Sequence, residues 1–576
     1  MRFHSVSALV LAALTGWGFL DGLFDRGASA PDARDVATGI AAEIAATGAV
    51  RPETAALYAG RRAALWTSAA QRSAAVRLLA TARLDGIDAA TARAGDAQRA
   101  VDALASAEAA WSRLGDAARD TTADPRPALV ARADVLLSDG TLRLGDALRG
   151  RRTNPARLHP GTWFPTVRDS AGTAFGALQA AVRTGDAGRV ARALGALRPQ
   201  QAGYRRRRER LGVLQAHLAP VPAGPALAAG GRSVRVPHLR ARLAAFGYLP
   251  ADSLGAWDRR DPYLFDSTLA SGLARFELAQ HLPVNRALEP ADAAALNADP
   301  AALRARLALN LERWRWLPDS FGDDYVYVNI PAFELTVFRG GREVDSLRMP
   351  VNVGNAQTTG WTTPVIRDSV HTVEFQPAWY VPNSLAPGLF AAARADSLAL
   401  WRRGVDVFQN GRSVDSRLVL WDSIAFSGFR FVQRPGAANP LGRVKFLMHN
   451  PYAILIHDTN KRHTLADGVG SSMSSGCVQA GAPDRLAEFL LTAVNGWEPG
   501  EATAAYRRGP RRGVRLERPF ATEFVYFTAT AEADGALHLH ADPYGYDARL
   551  AAALGLDLPA PVADDEADAA ADDARS

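Results

Sequence analysis

Two side chains in the stretch between Tyr452 and Gln479 have the types needed for covalent chemistry, Cys477 and His457. Cys477 is the sole cysteine of the chain, and His457 stands upstream of it. A thiolate is a competent nucleophile, and a nearby imidazole can take the thiol proton and stabilise the anion. The run Ser474-Ser475-Gly476-Cys477 predicts a tight turn. Gly476 there permits φ > 0 or close backbone approach, and neighbouring N–H groups can face a developing oxyanion. His449 and His463 are competing candidates for the base; the first precedes a turn at Asn450-Pro451, and the second follows Lys461-Arg462 in a polar loop. A single cysteine is otherwise a small buried apolar residue and a single histidine a structural one, so the combination carries the reading.

Elements must hold this pair. Tyr452 to Ile456 is an apolar run that predicts a buried strand ending at His457. After the cysteine, Ala482-Pro483-Asp484 opens a helical pattern with Leu486, Phe489, Leu490, Ala493 and Val494 on one face. Cys477 is thus expected in a loop between a core strand and an amphipathic helix.

The strings Ile456-His457-Asp458-Thr459 and Ser474-Ser475-Gly476-Cys477-Val478 resemble the active-site signature of the L,D-transpeptidase catalytic (YkuD) domain. The closer resemblance is to the large murein L,D-transpeptidases of Gram-negative envelopes, in which Ser replaces the commoner His before Gly-Cys. Leu311 to Pro318, Val328 to Phe333, Trp379 to Pro382 and Asn439 to Phe446 resemble that family in the same order. The likeness runs from about Val236 to about Leu550.

The resemblance implies an α+β multidomain protein. A β-rich catalytic domain with a helical lid insertion follows a helical scaffold and a small three-helix peptidoglycan-binding-like domain. It implies Cys477 as nucleophile, His457 as general base and acid, the main-chain carbonyl of Asp458 as the group orienting the imidazole, and backbone N–H at Gly476 and Cys477 as oxyanion donors. Ser475, Gln479, Trp379, Tyr380, Asn439, Arg443 and Lys445 are the implied substrate contacts. The implied substrate is the tetrapeptide stem of peptidoglycan, cleaved with release of D-alanine. A second stem's amine then opens the thioester to give a 3→3 cross-link; water as acceptor would make a carboxypeptidase. No cofactor and no metal are implied. The family usually has arginine two places after the cysteine, where this chain has Gln479. Gln keeps hydrogen-bonding capacity but lacks the cation and planar fork that hold a carboxylate. Activity with altered preference, or a weakened enzyme, are the two consequences.

At 576 residues the chain suggests about three domains. The formal charge of +6 rests almost wholly on arginine, since Lys445 and Lys461 are the only lysines. That is compositional bias, and without zinc-finger spacing, a P-loop or a basic-aromatic stripe no nucleic-acid partner is expected. Arg2, the apolar stretch Val6 to Leu20 and Ala28-Ser29-Ala30 follow the order of a signal peptide over 1–30, which places the protein in the periplasm or cell envelope. Retained uncleaved, it would anchor the chain at the inner membrane, although about fifteen apolar residues fall short of the roughly twenty of a spanning helix. A lone cysteine in an oxidising compartment is a free thiol.

The Ala, Leu and Arg-rich region 31–220 predicts a helical scaffold, with segments such as Ala74 to Ala80 and Leu178 to Val182. Its Arg205 to Arg208 run reads as a solvated helix face or as a grip on an anionic polymer. Residues 221–231 read as a linker. Residues 232–299 resemble the three-helix peptidoglycan-binding domain; an inert helical spacer is the alternative. From 300 to 557 a catalytic domain is expected, with strands at Tyr325 to Val328, Leu335 to Phe338 and Val444 to Met448. Residues 383–438 interrupt it as a capping insertion, helical from Leu389 to Leu400. Phe524 to Thr528 and Leu537 to His540 predict a late hairpin across Asp534-Gly535, and 558–576 an acidic disordered tail. Rival readings are a catalytically silent wall-binding protein, a papain-like peptidase (whose Cys precedes its His) and a zinc amidase, for which paired ligand spacing is lacking.

Overall fold

The computed structural model describes residues 30–46, 50–163, 172–214, 218–249, 261–280, 282–383, 385–425 and 427–558. The signal-like stretch and the acidic tail expected from the sequence lie outside these residues, apart from Ala30 and Leu558. No described helix is long and apolar enough to cross a membrane. The chain divides into two compact units, one of Met1–Arg83, Ile87–Leu148 and Ala171–Leu197, the other of Leu84–Gly86, Arg149–Ser170 and Arg198–Ser576.

The first unit is helical, as its alanine and leucine content predicts. Its long helix Arg126–Leu148 is buried along most of its length, and Val130, Leu137, Leu144 and Leu148 from it sit in one core with Val36, Trp66, Leu79 and Leu104. Burial leaves a carboxylate on that helix to be satisfied: Asp134 accepts from the N–H groups of Leu65 and Trp66 and from the Tyr58 hydroxyl at 2.7–3.0 Å.

In the second unit the helices Arg235–Ala245, Ser267–Ala279 and Pro290–Leu296 form the expected three-helix element. It does not have a core of its own. Leu239, Leu243, Phe265 and Phe276 pack in one cluster with Leu211 and Leu214 of helix Ala202–Leu214, Leu307 and Trp314 of helix Pro300–Trp316, and Phe527 and Leu537. The division between units therefore falls before Arg198 rather than at 220. The 221–231 segment is pinned rather than a free linker: Val221 exchanges hydrogen bonds with the Asn297 side chain at 2.8 Å, and Leu227 pairs with Leu288. The Arg205 to Arg208 run is not a wholly solvated face: Arg205 is exposed, but Arg206 to Arg208 are engaged within the unit. Arg207 is buried, donates to the Ala529 carbonyl at 2.7 Å and lies 4.5 Å from the Phe527 ring centroid, while Arg208 pairs with Asp85. Burial pulls the Arg207 guanidinium down to about 10.

The main sheet contains β1 Tyr325–Asn329, β2 Glu334–Arg339, β3 Arg342–Glu343, β4 Met349–Gly354 and β5 Ile366–Phe375. An inserted sheet follows, with β6 Trp379–Tyr380, β7 Val405–Gln409, β8 Arg412–Val414 and β9 Phe429–Gln433. The main sheet resumes with β10 Val444–Leu447, β11 Ile456–His457, β12 Ser472–Ser474, β13 Val478–Ala480 and β14 Arg512–Val525, and a hairpin, β15 Ala529–Ala531 with β16 Leu537–Leu539, ends the β structure. The main order is β12-β4-β13-β11-β10-β5-β14-β1-β2-β3, and an extra β4–β2 pairing closes the sheet on itself. Its inner face packs on the amphipathic helix Pro483–Asn495 through Leu486, Leu490 and Leu491.

Three expectations change here. The strand before His457 is confined to Ile456–His457, because Ala453 has φ +54° and Tyr452 is exposed. The insertion carries helix Ala386–Ala395 as expected, but also the four-stranded sheet β6-β9-β7-β8, whose rings Phe429 and Phe431 share a core with Phe390 and Trp421. The late hairpin uses Ala529–Ala531, since Phe524 and Val525 belong to β14, parallel to β1.

Helix Pro300–Trp316 is fixed by a buried ionic cluster. The Asp85 carboxylate accepts from Arg198 at 2.9 and 3.0 Å, Arg208 at 2.8 Å and the Tyr204 hydroxyl at 2.8 Å, and Arg315 donates to its carbonyl. Burial disfavours the charge, but Arg198 and Arg208 outweigh it and hold the carboxyl below the ordinary range. Asp85→Ala would strand these cations, and breaking such a pair costs about 3–5 kcal/mol. Urea unfolding should show a loss of that order; a loss near zero would mean the cluster contributes nothing.

Candidate active site

The reactive residues are positioned by register. β11 lies between β10 (antiparallel) and β13 (parallel), with Lys445 opposite His457 and His457 opposite Gln479. Gln479 is opposite Asn352 on β4, and Lys445 opposite Glu374 on β5. Directly opposed residues share a sheet face, so Asn352, Gln479, His457, Lys445 and Glu374 form one polar row across five strands. The next row is Val478, Ile456, Phe446 and Val373, and each is fully buried. Because the period is two, this apolar row fixes which residues face outward.

Cys477 stands two residues before Gln479, at the entrance to β13, where Val478 N–H donates to Leu455 O at 3.0 Å. Cys477 thus stands two positions before the residue opposite His457 on β11, and its side chain packs in part against the apolar cluster of the sheet. Gly476 has φ +115°, and a Cβ there would meet Ile454 Cδ1 at 3.1 Å, so the turn requires glycine. Ser474 Oγ braces the turn, accepting from Gly476 N–H at 3.1 Å and donating to the Cys477 carbonyl. Thr363 Oγ1 donates to Gly476 O at 2.7 Å. The Gly476 N–H, expected as an oxyanion donor, is therefore engaged by Ser474 Oγ. Among the described residues no acceptor meets the Cys477 N–H.

The sulfur sits against the 450–455 loop. Sγ lies 3.9 Å from Ala453 O, and Leu455 N–H points to it. Asn450 shapes this loop, its Oδ1 accepting from Ile454 N at 3.0 Å and its Nδ2 donating to Ile454 O at 2.7 Å. Burial pushes the Cys477 thiol up, and the Leu455 N–H opposes that only in part.

His457 Nδ1 hydrogen-bonds the Asp458 carbonyl. A carbonyl only accepts, so Nδ1 carries the proton and Nε2 is the free base. The Asp458 carboxylate fixes that carbonyl from behind. It accepts from Arg443 N at 2.8 Å, Thr459 N at 2.7 Å, Tyr506 Oη at 3.2 Å and the Arg462 guanidinium. A Cβ at Gly442, whose φ is +60°, would lie 2.3 Å from Asp458 Cγ. Burial pulls His457 down to about 4, and the Lys445 cation adds to the shift. The imidazole is neutral at pH 7.

Residues 323–500, which contain all of these groups except Tyr506, match the L,D-transpeptidase catalytic domain family (YkuD), and residues 52–211 match the Scaffold domain family. The segment 323–500 is an L,D-transpeptidase catalytic domain. A Haemophilus influenzae protein named "Putative L,D-transpeptidase" is 28% identical over 248 residues, 42% of this chain and 48% of that protein. The chain thus spans about half the length of this curated relative. A solved L,D-transpeptidase structure from Xylanimonas cellulosilytica is similar at 12% identity over 53% of this chain and 98% of that one, with a TM-score of 0.18.

In the L,D-transpeptidase domain the other expected contacts divide. Gln479 Oε1 accepts from Asn352 Nδ2 at 3.1 Å, and Lys445 pairs with Glu374 at 3.0 Å, which also pairs with Arg511 at 3.1 Å. Ser475 is exposed beside the turn. Trp379 and Tyr380 form β6, and exposed Tyr380 lies 6.0 Å from Arg511. Asn439 is not available to a ligand: it is buried, its Nδ2 donates to Pro377 O and Arg434 O, and its Oδ1 accepts from Leu441 N. Arg443 acts through its main chain on Asp458, with its guanidinium 5.7 Å from the Tyr506 ring. His449 stacks on His371 at 3.6 Å, and His463 is exposed on a 3-10 turn. Sequence reading missed Asn450, Arg462 and Tyr506; the i,i+4 spacing of Asp458 and Arg462 and the Asn-Pro turn were the available signals.

With His457 low and Cys477 high, the resting site is a neutral thiol and imidazole, not an ion pair. Alkylation of Cys477 by iodoacetamide should therefore climb with pH and reach half-maximum above the ordinary thiol range. A plateau already reached at pH 6 would reveal a resting thiolate and contradict the geometry.

Proposed function

We propose that this protein is a cysteine acyltransferase of peptidoglycan. The Nδ1–H to carbonyl bond carries the reading, because it leaves Nε2 of His457 as a free base on the strand beside the one that Cys477 leads into. Nε2 takes the thiol proton as Sγ attacks the carbonyl of the third, L-configured residue of a tetrapeptide stem. The Cys477 N–H faces the oxyanion. Collapse breaks the C–N bond, the imidazolium returns the proton to the departing D-alanine amine, and a thioester remains. The side-chain amine of a second stem then attacks the thioester and the thiol is regenerated, giving a 3→3 cross-link. Water in that step gives a carboxypeptidase. The inserted β6–β9 subdomain is proposed to cap the bound stem. Arg2, the apolar stretch to Leu20 and Ala28-Ser29-Ala30 support export to the periplasm.

Intact mass after incubation with a carbapenem, a strained acyl donor for a thiolate, tests the first half-reaction. The wild-type protein should gain one adduct and Cys477→Ala none, and His457→Ala should slow acylation about 10²–10⁴-fold. With the protein folded and the thiol reduced, absence of an adduct would favour a silent wall-binding protein. Purified tetrapeptide muropeptides then identify the acceptor.

A further inference from the structure

Away from Cys477, a groove of about 1090 Å³ lies where β1 and β2 face helices Ala202–Leu214 and Ser267–Ala279 and the β15–β16 hairpin. This is the upper end of ligand-site volumes. One wall is aromatic by register. Tyr325 and Tyr327 alternate outward from β1, and Phe338 on β2 is opposite Tyr325. Tyr325 and Phe338 stack with centroids 4.6 Å apart, Phe321 lies 5.4 Å from Tyr325, and Trp314 stacks on Phe321 at 5.9 Å.

Polar groups on this wall lack partners. Trp314 Nε1 and Gln201 Oε1 are buried without a hydrogen bond, although Trp314 is only 5% exposed. Buried polar groups are ordinarily satisfied, so these two atoms beside one groove are groups that a ligand would satisfy. The hydroxyl-bearing rings of Tyr325 and Tyr327 line the same groove. The charges define the ligand further. Glu334, Glu343 and Glu532 converge on the single Arg348, at 3.4, 2.9 and 3.7 Å, so this side carries excess negative charge. On the opposite wall Arg206 and Arg207 are engaged by the Ala531 and Ala529 carbonyls and Arg275 by Asp534. On the carboxylate side an anionic ligand is disfavoured. An uncharged, hydroxyl-rich one with apolar ring faces fits the rings, the carboxylates and the two unpaired atoms.

The groove shares a sheet face with the polar row of the candidate site. Glu334 is opposite Pro350 on β4, and Pro350 shares its face with Asn352, two residues on, which holds Gln479 beside His457. The groove-lining residues Gly468 to Gly470 run into Ser471, whose N–H and Oγ donate to Asn352 Oδ1 at 3.1 and 2.9 Å.

We propose that this groove binds the saccharide backbone of a glycan strand, as N-acetylated aminosugars stacked on the Tyr325, Tyr327 and Phe338 surface, and so feeds stems along one sheet face toward Cys477. The assignment rests on peptidoglycan being the substrate. The test is calorimetric titration of full-length Cys477→Ala protein with an N-acetylglucosamine tetramer, a probe without peptide. Binding is expected, and Tyr325→Phe and Tyr327→Phe, which remove only a hydroxyl, should each weaken it about fivefold, as for one hydrogen bond near 1 kcal/mol. No binding at millimolar sugar, or binding indifferent to both substitutions, overturns the proposal. Preferential binding of a sugar-free tetrapeptide stem that responds to these substitutions also overturns it. The titration needs no acylation and the carbapenem experiment needs no sugar, so failure of either reading is seen separately.

Discussion

The reactive pair depends on strands of two and three residues, and strands so short do not hold a register by their own hydrogen bonds. What holds it is the row beneath: Val478, Ile456, Phe446 and Val373 occupy successive strands and are all fully buried. A slip of one residue would bring His457 and Gln479 into the apolar core and put Val478 and Ile456 among the polar groups of the other face. Side chains do the work of missing ladder bonds at both strand entrances. Asn450 closes the loop that presents Ala453 O and Leu455 N–H to the sulfur, and Ser474 closes the turn that presents Cys477. The site is thus strand-registered but loop-finished.

Burial sets the chemistry as much as geometry does. Enclosing an imidazole disfavours its charge, which keeps His457 a base at neutral pH and keeps the thiol protonated until a substrate arrives. Enclosing Asp458 has the opposite requirement, since its carboxylate must stay satisfied. Arg443 N–H, Thr459 N–H, Tyr506 and Arg462 meet it. One residue thereby links an ionic cluster to a neutral base through its own carbonyl, and Gly442 leaves the room for that contact.

How legible this was follows from range. Alternation along Tyr325 to Val328 and Leu335 to Phe338, and helical spacing after Pro483, are local signals, and those elements stand where they were expected. His457, Cys477 and the positive φ of Gly476 were equally local. The strand before His457 was overread because an apolar run does not show that Ala453 adopts a left-handed conformation under the grip of Asn450. The Arg205 to Arg208 run was misread because its partners, Asp85, Ala529 and Phe527, are far away in sequence. Asn439 looked like a ligand contact, but loop carbonyls consume its amide. The sheet in the insertion escaped notice because alanine-rich helical sequence dominates its first half.

Gln479 is best understood from the polar row. It is directly opposite His457, so a guanidinium there would place a second cation beside an imidazole that Lys445 already disfavours charging. Glutamine avoids that: its Oε1 is held by Asn352 Nδ2 at 3.1 Å, which leaves the Nε2 amide as a neutral donor beside the base. Lys445, on the other side of His457, shares the single carboxylate of Glu374 with Arg511, which leaves an excess of one cation. A charged imidazole would then face one neighbouring cation rather than two.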